Sequence, residues 1–260
     1  MLIICIAGWS AANGLKLNTG KCTVLHIAPQ ELVQTLGESG VRVGIGSESL
    51  SISDKVKTLG VVLDRDLTFS DHITDCSKRA LGRLRGLYRY RDLLPESAKL
   101  QIVQSLVLSI FKYCYPAYGN SISRGDKDRI QKLQNTAIRF IFNLRLTDHI
   151  SPSREAAGML VMEDVCRMLT CCMIHKTLAQ KEPVYLCERL LYREEVSQRS
   201  TRQDRTLHLP RVRREVGRRG YSYFGPKLYN GLPHSLKACN TIVSFKKKYR
   251  DFIKLHVCAL

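Results

Sequence analysis

Two hydrophobic periods divide the chain near residue 70. Upstream, apolar positions come in short runs of period two, and downstream they recur every three to four residues. Residues 1–12 (MLIICIAGWSAA) are apolar enough for a short helix packed against a sheet, stopped by Asn13-Gly14. Leu15-Lys16-Leu17-Asn18 alternates, Thr19-Gly20 marks a turn, and Cys22 to Ile27 reads as a strand ended by Pro29. Residues 30–40 carry too few periodic apolar positions to assign. Val41 to Ile45 and Leu50 to Ile52 alternate around Gly46-Ser47, which predicts a hairpin. Val56, Val61, Val62 and Leu63 around Gly60 predict one buried strand over 56–63, broken at Asp64-Arg65-Asp66. These strands make a small antiparallel sheet, marginal unless a helix or another domain covers one face.

Ser70 and Asp71 offer the side-chain oxygen that starts a helix. Ile73, Ser77, Ala80, Leu84, Leu87 and Tyr88 then share one face, while Lys78, Arg79, Arg83, Arg85, Arg89 and Arg91 occupy the other sides. Pro95 suits the first position of a second helix, whose core side is Leu100, Val103, Val107, Ile110 and Phe111 and whose end is set by Pro116 and Gly119. Its apolar stretch 106–111 makes it the expected central helix. Asp126 to Leu144 gives a third, with Ile130, Leu133, Ala137, Phe140 and Ile141 inward. Glu163 to Ala179 and Val184 to Leu191 predict two more helices, followed by a loop-rich basic segment over 192–220 and an aromatic-rich turn over 221–233. A closing helix from Thr241 turns Ile242, Phe245, Tyr249, Phe252 and Ile253 inward and Lys246, Lys247, Lys248 and Arg250 outward. The fold class is therefore α+β, predominantly α. Three regions are expected: a small sheet with a helix over 1–69, a three-helix bundle over 70–148, and a basic helical region over 149–260.

Charge narrows the function. The 260 residues carry 41 Lys+Arg against 23 Asp+Glu, a formal +18, with 44% hydrophobic residues. That content supports a packed core, and a self-repelling excess of this size suits a protein that meets a polyanion. Nucleic acid is the first such partner and an anionic membrane surface the second. No apolar run approaches the roughly 18 residues that span a bilayer, and MLIICIAG lacks the basic start of a secretion signal. The ten cysteines show no CxxC pairing, which fits reduced thiols in a nuclear or cytoplasmic protein rather than a disulfide framework.

Three motifs, in order along the chain, resemble one family. They are Trp9-Ser-Ala-Ala-Asn13-Gly14-Leu15-Lys-Leu17-Asn18-Thr-Gly-Lys21, then LGVVLDRDLTFSDHI over 59–73, then FGPKLYNGLPHSLK over 224–237. Together they are similar to the reverse transcriptases of non-LTR retrotransposons of the jockey-like group. The resemblance implies the end of a palm domain, a helical thumb and a basic C-terminal region, and, for the full-length polymerase, RNA-directed DNA synthesis with Mg2+. It also implies roles. Lys21 matches the palm lysine placed near the leaving pyrophosphate, although Cys22 follows where many relatives have Thr; alternatively it is a surface lysine in a turn between strands. Leu59, Gly60 and Val61 match the motif that grips the primer end, and Gly60 is equally a strand glycine at a bulge.

Polymerase chemistry needs carboxylates that hold two metal ions for in-line displacement. In the family they belong to a first palm strand and an aromatic-x-Asp-Asp hairpin, and neither lies within the eight residues before Trp9. Asp64 and Asp66 are an i, i+2 pair, but they flank Arg65 in a turn and read as structural. The expectation is a chain that does not polymerise alone, takes no cofactor or metal, and binds RNA, DNA or their hybrid without a membrane.

Binding is expected from Lys78, Arg79, Arg83, Arg85 and Arg89 on the first basic helix and from Arg211, Arg213, Arg214, Arg218 and Arg219. Such cations neutralise phosphates and release counterions. A solvated helix face is the alternative for 71–91. The segment 192–220 holds nine arginines against four acids, a composition suited to forked contacts with phosphate. Tyr221, Tyr223, Phe224 and Tyr229 could stack on bases, but core anchoring is the favoured reading. Cys171 and His175 stand i, i+4, the spacing of a metal half-site; buried cysteines are the favoured reading there. A helical protein-interaction module without nucleic-acid function, domesticated or decayed, is the rival to the whole account.

Overall fold

In the computed structural model, residues 2–28, 43–45, 48–196 and 205–257 are described, and they divide into two units, Met1–His72 and Ile73–Leu260. Residues 29–42, 46–47 and 197–204, which include Pro29, the first two residues of the expected strand over 41–45, the Gly46-Ser47 turn, Arg199 and Arg202, lie outside the described residues.

The first unit opens on α1 (Leu2–Ala12), ended at Gly14, whose φ of +68° only glycine adopts cheaply. The helix is apolar on every side, yet Ile6 and Trp9 stand exposed, Trp9 at 62%. A 3-10 turn (Thr19–Lys21) leads into β1 (Thr23–Leu25). Then come β2 (Gly44–Ile45), β3 (Glu48–Ser49), β4 (Ser51–Ser53), β5 (Lys55–Thr58) and β6 (Val61–Asp64). The pairs β2–β3 and β5–β6 are antiparallel, but β1 and β4 run parallel with Val24 opposite Ile52. The β2–β3 pair is the hairpin expected across 46–47, continued by the Leu50 N–H, which reaches the Val43 carbonyl at 2.9 Å; the parallel β1–β4 pairing was not expected. The stretch between β1 and β4 exceeds the dozen or so residues a parallel crossover needs.

The single strand expected over 56–63 is instead a hairpin. Leu59 (φ +48°) and Gly60 (φ +82°) both sit in the left-handed region, the pairing that a two-residue turn matched to strand twist requires. Asp64 then organises the way out. Its carboxylate accepts the backbone N–H groups of Asp66 (3.2 Å), Thr68 (2.9 Å) and Phe69 (2.6 Å) and the Thr68 hydroxyl (3.2 Å).

The chain next enters α2 (Ser70–Leu87), which buries Ile73, Cys76, Ala80 and Leu84. The second expected helix is α3 (Glu96–Ile102), a π turn (Val103–Val107) and α4 (Ser109–Lys112), with Val103, Val107 and Phe111 fully buried. It stops at Lys112 rather than at Pro116. Pro116 lies in the first turn of α5 (Tyr115–Tyr118), where a missing N–H costs nothing.

In α6 (Arg124–Ile141), Ser123 is the N-cap: its hydroxyl accepts the Asp126 N–H at 3.1 Å and donates to the Asp126 carboxylate at 2.8 Å. After α7 (Ser151–Ala156) comes α8 (Met162–Gln180), buried on several sides. It packs against α5, α6, α9 (Val184–Cys187) and, beyond α10 (Arg193–Val196) and α11 (Glu215–Arg219), against α12 (Tyr221–Asn230). Past α13 (His234–Lys237), α14 (Ile242–Val257) also packs on it, so the central helix of the unit is α8 and not 96–112.

Two C-terminal expectations are corrected. The helix after Pro183 stops at Cys187 instead of Leu191. The segment 221–233 is mostly a helix rather than a turn, even with Pro226 inside it. The reason is tertiary: Gly225 lies so close to α8 that a Cβ would come within 2.8 Å of Ile174 Cδ1, and Tyr229 is buried against the same helix's core. Packing of this kind outweighs local propensity. Asn230 then holds the loop before α11, accepting the Leu207 N–H at 2.8 Å and donating to the Leu207 carbonyl at 2.9 Å.

Candidate nucleic-acid interface

The basic side chains of α2 sort into two groups by what they touch. Arg79 pairs with Asp75 at 3.2 Å and donates to Cys76 Sγ, and Arg83 donates to the Leu106 carbonyl at 2.6 Å, on the helix that carries the π turn. Arg79 is tied within its own helix, and Arg83 joins α2 to the helix over 96–112. Lys78, Arg85 and Arg89 are exposed, and among the described residues none makes a hydrogen bond or an ion pair. Lys78 and Arg85 stand seven residues apart on α2, opposite the buried face of Ile73, Ala80 and Leu84, and Arg89 continues the line from the 3-10 turn (Tyr88–Tyr90) that follows the helix. The line is roughly 16 Å long at the rise of a helix.

The second basic group divides similarly. Arg211, Arg213 and Arg214 are exposed ahead of α11, with no ion pair among the described residues. Arg218 faces Glu215 at 3.9 Å, and Arg219 is half-buried, donating to the Ser121 carbonyl at 3.2 Å. Arg219 therefore anchors the segment. Sequence periodicity also misses Lys99, 2% exposed, whose ammonium donates to Asn143 Oδ1 at 3.0 Å and to the Arg91 carbonyl at 3.3 Å. Its position gave no signal, because a buried lysine looks like a surface one until its acceptors are placed.

In the first unit, Lys21 is exposed at the end of its 3-10 turn, one residue before the Cys22–Thr23 step into β1. Leu59 and Gly60 form the hairpin turn, with Leu59 85% exposed, and Val61 begins β6. Both oxygens of Asp64 are committed to the turn after β6. Among the described residues no group of three or more His, Cys, Asp or Glu side chains is placed to hold a metal ion.

The Cys171/His175 half-site resolves into core. His175 Nε2 lies 2.9 Å from the Cys239 carbonyl, an acceptor only, so Nε2 carries the proton and Nδ1 accepts the Tyr229 hydroxyl at 3.0 Å. The ring stacks on Phe245, centroids 4.2 Å apart. Burial pushes the imidazole below its ordinary value of 6.5, with the Cys239 carbonyl pulling the other way. Burial likewise pushes the Cys171 thiol up to about 12 and Cys172 to about 11. A histidine depressed in the fold contributes stability that is fully present above its unfolded value and lost as pH falls through the folded one. The melting temperature should therefore decline as pH drops below about 6.5. His175→Gln should melt lower at pH 7.5 but decline less steeply toward pH 5. Parallel declines in thermal scans of the two proteins would remove His175 as the source.

No family model matches the chain, and no solved structure matches it. Three curated proteins do. It is 29% identical over 139 residues to a probable RNA-directed DNA polymerase from transposon BS of Drosophila melanogaster, covering 52% of this chain and 15% of that protein. It is 38% identical over 88 residues to a probable RNA-directed DNA polymerase from transposon X-element of the same species, covering 33% of this chain and 10% of that one. It is 27% identical over 140 residues to the RNA-directed DNA polymerase from mobile element jockey of Drosophila funebris, covering 51% and 14%. The matches thus span a small part of those relatives' length.

Proposed function

We propose, for a chain similar over about half its length to the jockey-like reverse transcriptases of non-LTR retrotransposons, that it holds the phosphate backbone of RNA, DNA or their hybrid without itself joining nucleotides. The observation that carries the reading is the line of Lys78, Arg85 and Arg89, exposed and without protein partners among the described residues. Arg211, Arg213 and Arg214 are a second exposed group, on another segment of the same unit. Structural cations on a helix are drawn to carboxylates or carbonyls, as Arg79 and Arg83 are. Three that point away from the core toward water are placed for an external anion, and phosphate is the one a reverse transcriptase meets repeatedly.

The resemblance implies Mg2+ in the full-length polymerase, and Asp64 and Asp66 do not fit that ion. Both oxygens of Asp64 accept backbone N–H groups 2.6–3.2 Å away, the work of a turn aspartate, and no other carboxylate joins it in a cluster among the described residues. Leu59 and Gly60, at an exposed hairpin tip, remain available to approach a primer strand, and Lys21 to approach a phosphate, as the family roles would require. Exposed Ile6 and Trp9 favour a second reading, a helical protein-interaction module.

Fluorescence anisotropy with a labelled RNA–DNA hybrid separates the two. Each phosphate neutralised contributes about −0.9 to the slope of log K against log salt on a duplex. K78Q/R85Q/R89Q should flatten that slope by about 2 to 3 with little change in melting temperature, since all three side chains are exposed. The same hybrid, given nucleotides and Mg2+, should not be extended. A slope near zero for the unaltered chain, or one that the triple variant leaves intact, would reject this interface.

A further inference from the structure

A second cation cluster lies elsewhere on the second unit. Lys112 is the last residue of α4, and Lys246 and Arg250 stand four apart on α14, hence on one face. All three line a single cavity of about 70 Å³, with Gln104 beside them and Leu108 and Met168 among the apolar lining. No acidic residue lines it, and among the described residues none of the three cations makes a hydrogen bond or an ion pair. Lys112 is half-buried; desolvation first, then the charges of Lys246 and Arg250, push its ammonium below the ordinary lysine value.

Three like charges converging on a part-buried cavity repel one another, and the fold carries that cost with no carboxylate to offset it. A single water needs at least roughly 10–15 Å³ of such volume, so a cavity of about 70 Å³ has room for a small oxyanion in place of water. Two ammonium points and a guanidinium fork, with an amide donor beside them, present the donor geometry that phosphate oxygens accept.

We propose that Lys112, Lys246 and Arg250 bind a phosphate group. Its source is either a phosphodiester of the nucleic acid held under the reading above or a free oligophosphate. The α2 line and this cluster are built from different residues, so each can fail alone.

The test uses the whole chain with two probes, inorganic tripolyphosphate and a labelled single-stranded RNA. Tripolyphosphate at about ten times its Kd should raise the melting temperature by about 3–6 °C. K246Q/R250Q, altered only at exposed side chains, should lose that rise. Lys112→Met should melt higher than the unaltered chain without ligand, because it removes a desolvated charge, and should also respond less. With RNA, K246Q/R250Q should flatten the salt slope by about 0.7 if one phosphate sits there, which identifies the polymer as a source; an unchanged RNA slope with a lost tripolyphosphate response identifies the free anion. A tripolyphosphate response that survives in both K246Q/R250Q and Lys112→Met overturns the site. K78Q/R85Q/R89Q is the separate arm: if it alone leaves the RNA slope unchanged, the α2 interface fails and the cluster stands.

Discussion

Replacing Phe245 by alanine is expected to cost about 3–5 kcal/mol. The side chain is fully buried at the meeting point of α8, α12 and α14. Its ring stacks on His175 at 4.2 Å, lies 5.9 Å from Tyr249 and 6.3 Å from Tyr229 between centroids. Each such pair contributes about 0.5–1.5 kcal/mol beyond simple burial. The loss would compound, because the ring also holds His175 in line with Tyr229 and the Cys239 carbonyl. Against a typical domain stability of about 5–15 kcal/mol, one substitution would remove a large share. Val243→Ala, on the same helix but 76% exposed, should change stability by no more than about 0.5 kcal/mol. Urea denaturation followed by far-UV circular dichroism measures both; the chain's one tryptophan, Trp9, belongs to the other unit and does not report on this core. Equal midpoints for the two variants would mean that Phe245 is not the keystone of this packing.

Phe245 also illustrates which features sequence makes legible. The long amphipathic helices follow from period alone: Ile73, Ala80 and Leu84 on α2, Ile130, Ala137 and Phe140 on α6, and Phe245, Tyr249 and Ile253 on α14 are buried as their spacing predicts. Short elements are not fixed locally. Val56 to Leu63 looks like one strand because hydrophobicity does not register the sign of φ, and only the Leu59-Gly60 turn separates β5 from β6. The helix over 221–230 was hidden by Pro226 and Gly225, whose acceptance depends on Ile174 across the interface with α8. Candidate binding residues divide for the same reason. The pattern shows that Arg79, Arg83, Arg85 and Arg89 are charged and off the core face, but not that Leu106 offers a carbonyl to one of them. Lys112 was invisible as a site, since its partners in the cavity come from α14, more than a hundred residues on.

Gly119→Ala should be nearly as damaging, and through the opposite fault. A Cβ at Gly119 would meet the Tyr115 ring at 2.6 Å (both Cδ2 and Cε2) and would also press on Cys166 Sγ. Neither neighbour can easily yield. Tyr115 is 2% exposed and packs 5.4 Å from the Tyr118 ring, and Cys166 is held on α8 at 3% exposure. Overpacking of a well-filled core costs about 1–3 kcal/mol, and two rigid partners argue for the upper end. The same chemical change at Gly82 should have the opposite sign. Nothing lies within 4 Å of a Cβ there, and an exposed glycine inside a helix costs about 1 kcal/mol relative to alanine, so Gly82→Ala should stabilise. Adding Cys166→Ala to Gly119→Ala removes the sulfur but leaves the ring, and the pair should be less unstable than the two single costs added together, the mark of a shared contact. Thiol chemistry gives a second measure. Burial pushes Cys166 up to about 12, so in the intact fold it should resist alkylation at neutral pH, and Gly119→Ala should expose it to labelling as α5 is forced from α8. Strictly additive costs with an unreactive Cys166 in the single variant would show that α5 can shift to admit the methyl group.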